Sequence, residues 1–449
     1  MNKKPNVVFV FGDQWRQQAT GYAGDPNVRT PNLDALAKES VNFTHALSGC
    51  PVCSPYRASL LTGQRPLTHG VFVNDVYLQP PATSIAEAFS AAGYDTAYIG
   101  KWHVDGQGRS SHIPPERRLG FDYWKALECT HDYNKSPYYE GDSDEKHEWQ
   151  GCDAIAQTRD AEAYIRSHDR DKPFMLMLSW GPPHAPYDTA PEEYGDLYSP
   201  DTIKLRPNVP DDLAPQAREW LAGYYAHCSA LDACMGDLLS ALEECGLADN
   251  TILVFTSDHG DMLGSQGHEK KQRPWEESIR VPFLLRYPSL AGWQPRETEA
   301  LIDAPDIMPT LLGLCGIPIP GSVEGLDFSM HIAGGDDPSN GAALLICAHP
   351  FGQWTVKWHG GKEYRGLRTK RYTYVRDREG PWLLYDNDAD PYQLRNLADD
   401  PEFSALRDEL AEALQHKLDE QLDEFLPGMD YISKWGYAID ENGTVPYTN

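Results

Sequence analysis

The chain contains four short apolar runs, in which hydrophobic residues follow one another instead of alternating with polar ones. They cover residues 6–12, 95–100, 173–180 and 251–260. Continuous runs of this length are typical of strands buried on both faces of a sheet. Between them, apolar residues recur every three to four positions, which predicts helices over residues 30–40, 83–94 and about 214–246. The alternation predicts an α/β fold, with a large, mostly parallel sheet sandwiched by helices.

The pattern changes near residue 345. Residues 366–375 and 382–398 have the pattern of antiparallel strands joined by a turn, and residues 401–425 have that of a capped amphipathic helix. We therefore expect a larger α/β domain over residues 1–345 and a smaller C-terminal α+β subdomain over residues 346–449. The tail after the last helix carries no predicted element.

The composition of the 449-residue chain is that of a globular protein, with 41% hydrophobic and 24% charged residues. Its formal net charge of -28 disfavours nucleic acids and anionic membrane surfaces as partners. An anionic substrate would therefore need a local concentration of positive charge.

The first apolar run is about six residues long, too short for the core of a signal peptide. No apolar run approaches the roughly 18 residues of a transmembrane helix. The sequence as written predicts a soluble, cytoplasmic protein, with a periplasmic or secreted one as the alternative if a leader has been removed. Nine scattered cysteines, an odd number, predict mostly reduced thiols.

Each apolar run ends in polar residues, and in parallel sheets such ends meet at one edge. The first run ends in Asp13 and Gln14, and the fourth in Asp258 and His259. Two carboxylates, an amide and an imidazole are suitable ligands for a divalent cation. Oxygen ligands favour Ca2+, whereas the imidazole leaves Mn2+ or Zn2+ open. The competing interpretation is that each aspartate only caps the turn after its strand.

The second and third runs end in residues suited to proton transfer and anion binding. Lys101 and His103 are two residues apart, so in an extended segment their side chains share a face. His184 lies within a proline-rich loop, which suits a rigidly held general acid. Lys271 follows the fourth run closely enough to fold back into the site, and Lys270 competes for that position. Taken singly, each of these residues is more often an ordinary structural or surface residue.

Residues 49–63 read GCPVCSPYRASLLTG and leave the use of the cysteines open. Cys50 and Cys53 form a C-x-x-C pair, which is typical of redox proteins or of half a zinc site. No second pair has zinc spacing, since Cys228 and Cys234 are six apart in a helical stretch. The other interpretation is that Cys53 alone is a nucleophile beside a cation.

Cys53 is predicted at the start of a helix. Ser54 is a suitable N-cap, Pro55 suits the first helical position, and Gly63 closes the helix. Free amide groups and the dipole at a helix N-terminus stabilise an anion, and Arg57 adds positive charge one turn along. We therefore expect a lowered pKa for Cys53, in a place that would also hold a tetrahedral oxyanion.

The segment CSPYRASLLTG has a C-x-P-x-R core followed by A-S-L-L-T-G, and it is accompanied by GDQWR, GKWH, PPHAPY and SDHGDMLG. With these motifs in this order, the chain resembles the type I sulfatases of the alkaline-phosphatase superfamily from about residue 5 to residue 400. The resemblance implies that a separate formylglycine-generating enzyme oxidises Cys53 to formylglycine. One hydroxyl of the hydrated aldehyde would attack sulfur beside a divalent metal, with Ca2+ the favoured ion. The residues that match the metal positions of the family are Asp13, Gln14, Cys53, Asp258 and His259.

The same resemblance assigns the other catalytic positions. His184 would protonate the leaving alcohol, and Lys271 would bind the sulfate. His103 would help the second hydroxyl to expel sulfate and restore the aldehyde. Lys101 and Arg57 would stabilise the hydrate and the developing charge.

The leading prediction is a sulfate-ester hydrolase that acts on a small-molecule or oligosaccharide ester, with a sulfated carbohydrate the favoured substrate. The rival is a phosphonate monoester hydrolase or phosphodiesterase of the same superfamily, because Gln14 and His259 depart from many sulfatases. A binding protein that keeps the fold with an unmodified Cys53 is a third possibility. Candidates for stacking against the carbohydrate are Tyr133, Tyr138, Tyr139 and Trp354, for which core packing is the competing role. His131 and His349 are candidates for the leaving-group side.

Overall fold

The structure, a computed structural model, describes residues 3–355 and 360–448. Its described part contains a ten-stranded sheet and a four-stranded sheet. The strands of the large sheet are β1 (Asn6–Asp13), β2 (Val41–Phe43), β3 (Asp95–Lys101), β4 (Tyr123–Leu127), β5 (Pro137–Glu140), β6 (His147–Glu148), β7 (Phe174–Pro183), β8 (Thr251–Ser257), β9 (Phe283–Arg286) and β10 (Arg296–Thr298). Those of the small sheet are β11 (Ala342–Cys347), β12 (Tyr364–Thr369), β13 (Tyr372–Asp377) and β14 (Pro381–Asp386).

The helices alternate with these strands. They are α1 (Pro31–Lys38), α2 (Cys53–Thr62), α3 (Pro66–His69), α4 (Ile85–Ala91), α5 (Asp153–Ser167), α6 (Glu192–Gly195), α7 (Ala214–Glu244), α8 (Glu276–Ile279), α9 (Ala304–Leu314), α10 (Ser329–Ile332), α11 (Ser404–Glu420) and α12 (Gly428–Trp435). Within the described residues, no helix is long and apolar enough to cross a bilayer.

The large sheet has the strand order β10-β2-β9-β8-β1-β7-β3-β4-β5-β6. Its five central strands, from β8 to β4, pair in parallel, whereas β9, β5 and β6 pair antiparallel with their neighbours. The four apolar runs of the sequence are β1, β3, β7 and β8. The prediction of a mostly parallel α/β sheet is confirmed, and the carboxyl ends of these four strands share one edge.

Helices cover both faces of the sheet because the central strands carry apolar residues on both faces. Val7 and Phe9 of β1 face a layer that contains α2, α4 and α9. Val8 and Val10 face the opposite layer, which contains α1, α5 and α7. Ser84 begins α4 with a capping box to Glu87, as the sequence pattern of this helix predicts.

The C-terminal part forms an antiparallel sheet packed against a helix. Leu410, Leu414 and Leu418 of α11 form an apolar cluster with the small sheet, which confirms the predicted α+β character. The predicted second strand is shorter than expected and ends at Asp386, since a chain of turns follows it. The division at residue 345 stays a prediction; β11 (Ala342–Cys347) runs across it.

The tail forms an element that the sequence analysis did not predict. Helix α12 buries Tyr431 and Ile432 and ends at Gly436, which adopts the left-handed conformation with φ 69°. Tyr437 then donates a hydrogen bond to the carbonyl oxygen of Gly70 at 2.8 Å. The tail is thereby held against the large domain.

Candidate active site

Polar side chains from the four central strands converge at the shared edge of the sheet. Asp13 ends β1, Lys101 ends β3, His184 follows β7 and Asp258 follows β8. All four are buried, and Asp13 and Asp258 are fully buried. The buried charges therefore have to be paired with one another or with a bound ion.

Cys53 lies at the beginning of α2, beneath this edge. The prediction of Ser54 as N-cap is wrong: Val52 is extended, with φ -149° and ψ 144°, and Cys53 is already the first helical residue. Ser54 instead donates its backbone N–H to Oδ1 of Asn74 at 3.0 Å. The helix begins two positions earlier than expected, so Cys53 lies in its first turn, where the dipole favours an anion.

The sulfur atom of Cys53 is surrounded by charged groups. It lies 3.1 Å from Nζ of Lys271, 3.2 Å from Nε2 of His259 and 3.6 Å from Oδ1 of Asp13. Burial and Asp13 oppose ionisation, but Lys271, Lys101 and His259 hold the pKa of the Cys53 thiol well below its ordinary value. The position thus stabilises negative charge on the atom attached to Cβ of residue 53.

Four ligand groups form a cluster that could hold a metal ion. Atoms from Asp13, Cys53, Asp258 and His259 lie within 4.8 Å of one another, and all four residues are buried. Nδ1 of His259 pairs with the carbonyl oxygen of Gly260 at 2.9 Å, which leaves Nε2 directed to Asp13 and Asp258 at 3.6 and 3.5 Å. This tautomer presents a neutral nitrogen to a cation.

Gln14 adds a further oxygen to the metal-site candidates. Its Oε1 is buried and has no hydrogen-bond partner among the described residues, whereas its Nε2 donates to Asp261 at 2.6 Å. Its backbone N–H donates to Oδ1 of Asp258 at 2.9 Å, and its φ of 71° is unusual for a residue with a side chain. A buried amide oxygen without a partner is the kind of group that a divalent cation satisfies.

The shared surroundings shift the pKa values of Asp13 and Asp258 in opposite directions. Burial opposes ionisation of Asp13, but Lys101 and His184 hold its pKa well below the ordinary value. Burial and the charge of Asp13 raise the pKa of Asp258 to about 6. A divalent cation would relieve this repulsion between the two carboxylates.

Arg57 and Lys101 neutralise these carboxylates. Nη2 of Arg57 lies 3.2 Å from Asp13 and 3.2 Å from Asp258, and Nζ of Lys101 lies 2.7 Å from Asp13. Arg57 also donates to Oγ of Ser179 at 2.7 Å, a contact that the sequence did not predict. Both cations are thus bound to the metal-site carboxylates.

His184 and Lys271 form a second group of contacting side chains in the site. Nζ of Lys271 lies 2.8 Å from Nε2 of His184, and Nδ1 of His184 pairs with the carbonyl oxygen of Ala185 at 2.7 Å. Burial and Lys271 hold the pKa of His184 well below its ordinary value. The ring of His131 stacks on His184 with centroids 4.8 Å apart, which fixes the plane of the imidazole.

His103 belongs to a chain of contacts that the sequence analysis missed. Its Nε2 lies 3.4 Å from Oδ1 of Asp75, and Asp75 accepts two hydrogen bonds from Arg109 at 2.9 and 2.8 Å. The guanidinium of Arg109 lies 3.4 Å from the ring centroid of Tyr447. Although burial opposes protonation, Cys129 and the hydrogen bonds that His103 makes to Asp75 and Cys53 raise the pKa of His103 to about 10.

A cavity of about 300 Å³ is lined by part of this site, namely Cys53, Lys101, His103, His184 and Lys271. Cys53 and the cationic residues lie along it, and Phe351, Thr444 and Tyr447 of the C-terminal part complete its wall. Lys271 directs its ammonium to Cys53, whereas Lys270 lines the cavity and forms no salt bridge within the described residues. The structure thus places Lys271, the candidate favoured from the sequence, beside Cys53.

The weaker sequence candidates divide between core and cavity. His131 lines the cavity, while His349 packs near Gly443 in the tail. Tyr133, Tyr139 and Trp354 are buried, and Tyr138 stacks on Trp149 with centroids 4.5 Å apart.

The two cysteines of the C-x-x-C pair have different surroundings. All nine cysteines, each in the described part of the chain, are free thiols. Burial raises the pKa of the Cys50 thiol well above its ordinary value, the reverse of the direction at Cys53. Cys50 packs in the apolar core behind α2, where a thiol is inert.

Comparison with known proteins decides the family. The sequence model of the Sulfatase family matches residues 5–317. The chain belongs to the sulfatase family. A second model, N-sulphoglucosamine sulphohydrolase, C-terminal, matches residues 264–421 of this sulfatase.

Individual relatives agree with this assignment. The Ulvan-active sulfatase of Formosa agariphila is 48% identical over 99% of this chain and 87% of its own length. The Endo-4-O-sulfatase of Bacteroides thetaiotaomicron is 34% identical over 88% of each chain. A solved structure from the glycosaminoglycan metabolism of that organism superposes with a TM-score of 0.85 at 32% identity, covering 99% of this chain and 100% of the other. This sulfatase is a sulfuric ester hydrolase.

The fold is shared more widely within the alkaline-phosphatase superfamily. The phosphonate monoester hydrolase of Agrobacterium radiobacter superposes with a TM-score of 0.75 at 23% identity, covering 98% of this chain and 99% of the other. At that identity the likeness concerns the fold alone.

Proposed function

We propose that this sulfatase hydrolyses sulfate esters of a carbohydrate, using a formylglycine derived from Cys53 and a divalent metal. The observation that carries the proposal is the setting of Cys53: the first residue of a helix, with Lys271, His259 and Asp13 around its sulfur. The carbohydrate rests on the names of two relatives, which are an Ulvan-active sulfatase and an Endo-4-O-sulfatase.

The donor set fits a hard divalent cation. Asp13 and Asp258 supply carboxylate oxygens, Gln14 an amide oxygen and His259 an imidazole nitrogen. Oxygen-rich ligation favours Ca2+, and the imidazole keeps Mn2+ and Zn2+ as alternatives. When bound, the metal and the hydrated formylglycine supply an acidified hydroxyl nucleophile and polarise the sulfate.

Lys271 and His184 serve the sulfate and its leaving group. The ammonium of Lys271 points to residue 53 and can bind a sulfate oxygen there. When the sulfate oxygen binds the ammonium of Lys271, the hydrogen bond from Lys271 to Nε2 of His184 is lost. Nε2 can then carry the proton that the leaving alcohol needs. The sulfate thereby also offsets the lysine charge that depresses the pKa of His184.

His103, Lys101 and Arg57 act on the other side of residue 53. His103, oriented by Asp75, can exchange a proton with a hydroxyl at this residue when sulfate is released. Lys101 and Arg57 stabilise the negative charge that develops beside the two carboxylates.

The proposal is tested by mass spectrometry of the peptide across Cys53, from protein made together with a formylglycine-generating enzyme. We expect an aldehyde that reacts with a hydrazine probe, and loss of sulfate-ester hydrolysis in Cys53→Ala but not in Cys50→Ala. An unmodified cysteine in fully active protein would contradict the assignment of formylglycine as the nucleophile. Faster hydrolysis of phosphonate monoesters or phosphodiesters than of sulfate esters in a substrate panel would contradict the reaction class.

A further inference from the structure

Asp261 is a fully buried aspartate beside the candidate active site. It follows Asp258 and His259 closely in the chain and begins the segment that leads to Lys271. Its hydrogen bonds reach both a metal-ligand candidate and this segment, so it lies between the two functional halves of the site.

One oxygen of Asp261 determines how the side-chain amide of Gln14 is turned. Oδ2 accepts a hydrogen bond from Nε2 of Gln14 at 2.6 Å and another from the hydroxyl of Tyr187 at 2.5 Å. A carboxylate accepts hydrogen bonds and donates none, so the amide faces it through its NH2 group. Oε1 of Gln14 is thereby turned away from Asp261, and this buried oxygen has no hydrogen-bond partner among the described residues.

The backbone of Gln14 is held separately from its amide. Its N–H donates to Oδ1 of Asp258 at 2.9 Å, and its carbonyl oxygen accepts a hydrogen bond from the hydroxyl of Tyr224 at 2.7 Å. A half-turn of the amide would leave this backbone in place and exchange Oε1 for Nε2. A cation would then meet an N–H donor in place of an oxygen ligand.

The other oxygen of Asp261 holds the segment that carries Lys271. Oδ1 accepts hydrogen bonds from the backbone N–H groups of Leu263 at 3.1 Å and Lys270 at 2.9 Å. Both of these residues have left-handed backbones, with φ of 45° and 61°, which is unfavourable for residues with side chains. The two hydrogen bonds stabilise this conformation and close the loop from which Lys271 reaches Cys53.

We propose that Asp261 is a positioning residue for both halves of the site. It orients the Gln14 amide so that the oxygen faces the divalent cation, and it fixes the loop that places Lys271 against the sulfate. The inference rests on the proposed function, which makes Gln14 a metal ligand and Lys271 a sulfate-binding cation. Asp261 thus acts through these two side chains and aligns the metal with the sulfate-binding group.

The substitution Asp261→Asn isolates the orientation of Gln14. The asparagine keeps one oxygen, which can still accept hydrogen bonds from Leu263 and Lys270, but an NH2 group replaces the oxygen that faced Gln14. Two NH2 groups would then oppose each other, so the Gln14 amide should turn and present Nε2 to the cation. Calorimetric titration of the metal-free protein should show an affinity for Ca2+ that is lower by roughly 10-fold to 100-fold.

A second background separates orientation from charge, because Asp261→Asn also removes a negative charge near the cation. Gln14→Met removes the amide and should itself weaken Ca2+ binding. In that background Asp261→Asn should change the affinity little, since no amide remains to be turned. Equal losses in both backgrounds, or wild-type affinity in Gln14→Met, would overturn the orientation role.

Asp232→Asn is the matched control. Asp232 is also buried, and it accepts hydrogen bonds from the side-chain amide and the backbone N–H of Asn32 at 2.9 and 3.1 Å, outside the catalytic cavity. This variant should keep the wild-type affinity for Ca2+. A loss as large as that of Asp261→Asn would show that general destabilisation is the cause and would overturn the proposal.

The loop role is tested with inorganic sulfate as the probe. In excess Ca2+, the inhibition constant of sulfate against 4-nitrophenyl sulfate hydrolysis should rise about tenfold in Asp261→Ala, which loses both acceptors. It should stay near the wild-type value in Asp261→Asn, which keeps the acceptor for Lys270. Asp261→Ser, which can keep the turn at Leu263 but not the bond to Lys270, takes the place of the alanine variant if that variant does not fold. An unchanged inhibition constant would overturn the loop role.

The outcomes separate this inference from the proposed function. Sulfate-ester hydrolysis and Ca2+ binding by the wild type, together with wild-type Ca2+ affinity in Asp261→Asn, would overturn the orientation role alone. A wild-type protein that binds none of Ca2+, Mn2+ and Zn2+ would overturn the proposed metal and, with it, the orientation of Gln14 towards a cation.

Discussion

The ammonium group of Lys271 donates a hydrogen bond to Nε2 of His184 across 2.8 Å. The same ammonium lies 3.1 Å from the sulfur of Cys53, so one cation connects the residue proposed as nucleophile with the residue proposed as acid. A sulfate ester bound between them would compete for this cation. Substrate binding and the protonation of His184 are therefore coupled through a single side chain.

Replacement of His184 by glutamine should lower kcat by about 10²-fold to 10⁴-fold for alkyl sulfates. The loss should be much smaller for 4-nitrophenyl sulfate, because nitrophenolate leaves without a proton. Steady-state kinetics on both esters measure the difference. His227→Gln is the matched control, since His227 is a buried histidine of α7 that contacts Thr189 at 3.2 Å and lies outside the cavity. Equal losses on both esters would assign His184 a role other than general acid.

Chelation should abolish hydrolysis, and Ca2+ should restore it and raise the melting temperature. Ionised Asp258 is needed for this binding, and its pKa of about 6 predicts that the affinity for Ca2+ weakens as pH falls below that value. Because the pKa is raised above 3.8, the metal-free protein should gain stability as pH falls from about 6 towards 3.8. Calorimetric titrations across this range test both effects. Asp258→Asn should lose the response to Ca2+, and activity that survives exhaustive chelation would exclude the metal.

Asp75→Asn should reduce kcat by roughly 10-fold to 100-fold while the fold persists. The substitution weakens the link to His103 at 3.4 Å and frees Arg109, so the proton affinity of His103 should fall. Because His103 takes up a proton when sulfate is expelled, the acidic limb of the pH–rate profile should shift to lower pH. Asp105→Asn provides the comparison, because Asp105 forms a similar pair with Arg117 at 2.7 Å outside the catalytic cavity. An identical pH profile in wild type and Asp75→Asn would rule out this positioning role.

Glu276→Gln should destabilise the protein by about 3 kcal/mol at neutral pH, since it leaves a buried arginine without its counter-ion. Glu276 lies 2.8 Å from Arg368; although burial opposes ionisation, Arg368 and Arg280 lower its pKa from 4.5 to about 2. The stabilisation is thus complete above pH 4.5 and is lost as pH falls towards 2. The urea midpoints of the wild type and of Glu276→Gln should differ at neutral pH and converge at acidic pH. Glu297→Gln, at an exposed position of β10, should change neither midpoint.

The convergence of catalytic candidates could be predicted because it follows from local patterns. Asp13, Lys101 and Asp258 lie at the ends of apolar runs, and parallel pairing of those runs brings their ends together. The helix start at Cys53 was also visible in its sequence, although the capping residue was misassigned by two positions.

The Asp75–Arg109–Tyr447 contacts could not be predicted in this way. Asp75 and His103 both have left-handed backbones, with φ of 61° and 58°, in loops without periodicity. Tyr447 reaches the cavity because the backbone N–H of Arg109 donates to the carbonyl oxygen of Thr448 at 2.8 Å. Such contacts depend on tertiary packing between distant segments, which no local pattern encodes.

The burial of α2 constrains the order of events during biosynthesis. Cys53 is 1% exposed, and all ten residues of the helix are buried. An enzyme that modifies Cys53 needs the thiol and its flanking residues within its own active site, and the native fold offers neither. Under the proposed function, the modification of Cys53 would therefore have to precede folding. Protein that folds before it meets the modifying enzyme would be stable and correctly packed yet permanently inactive, so the yield of folded protein and the yield of active protein are separate quantities.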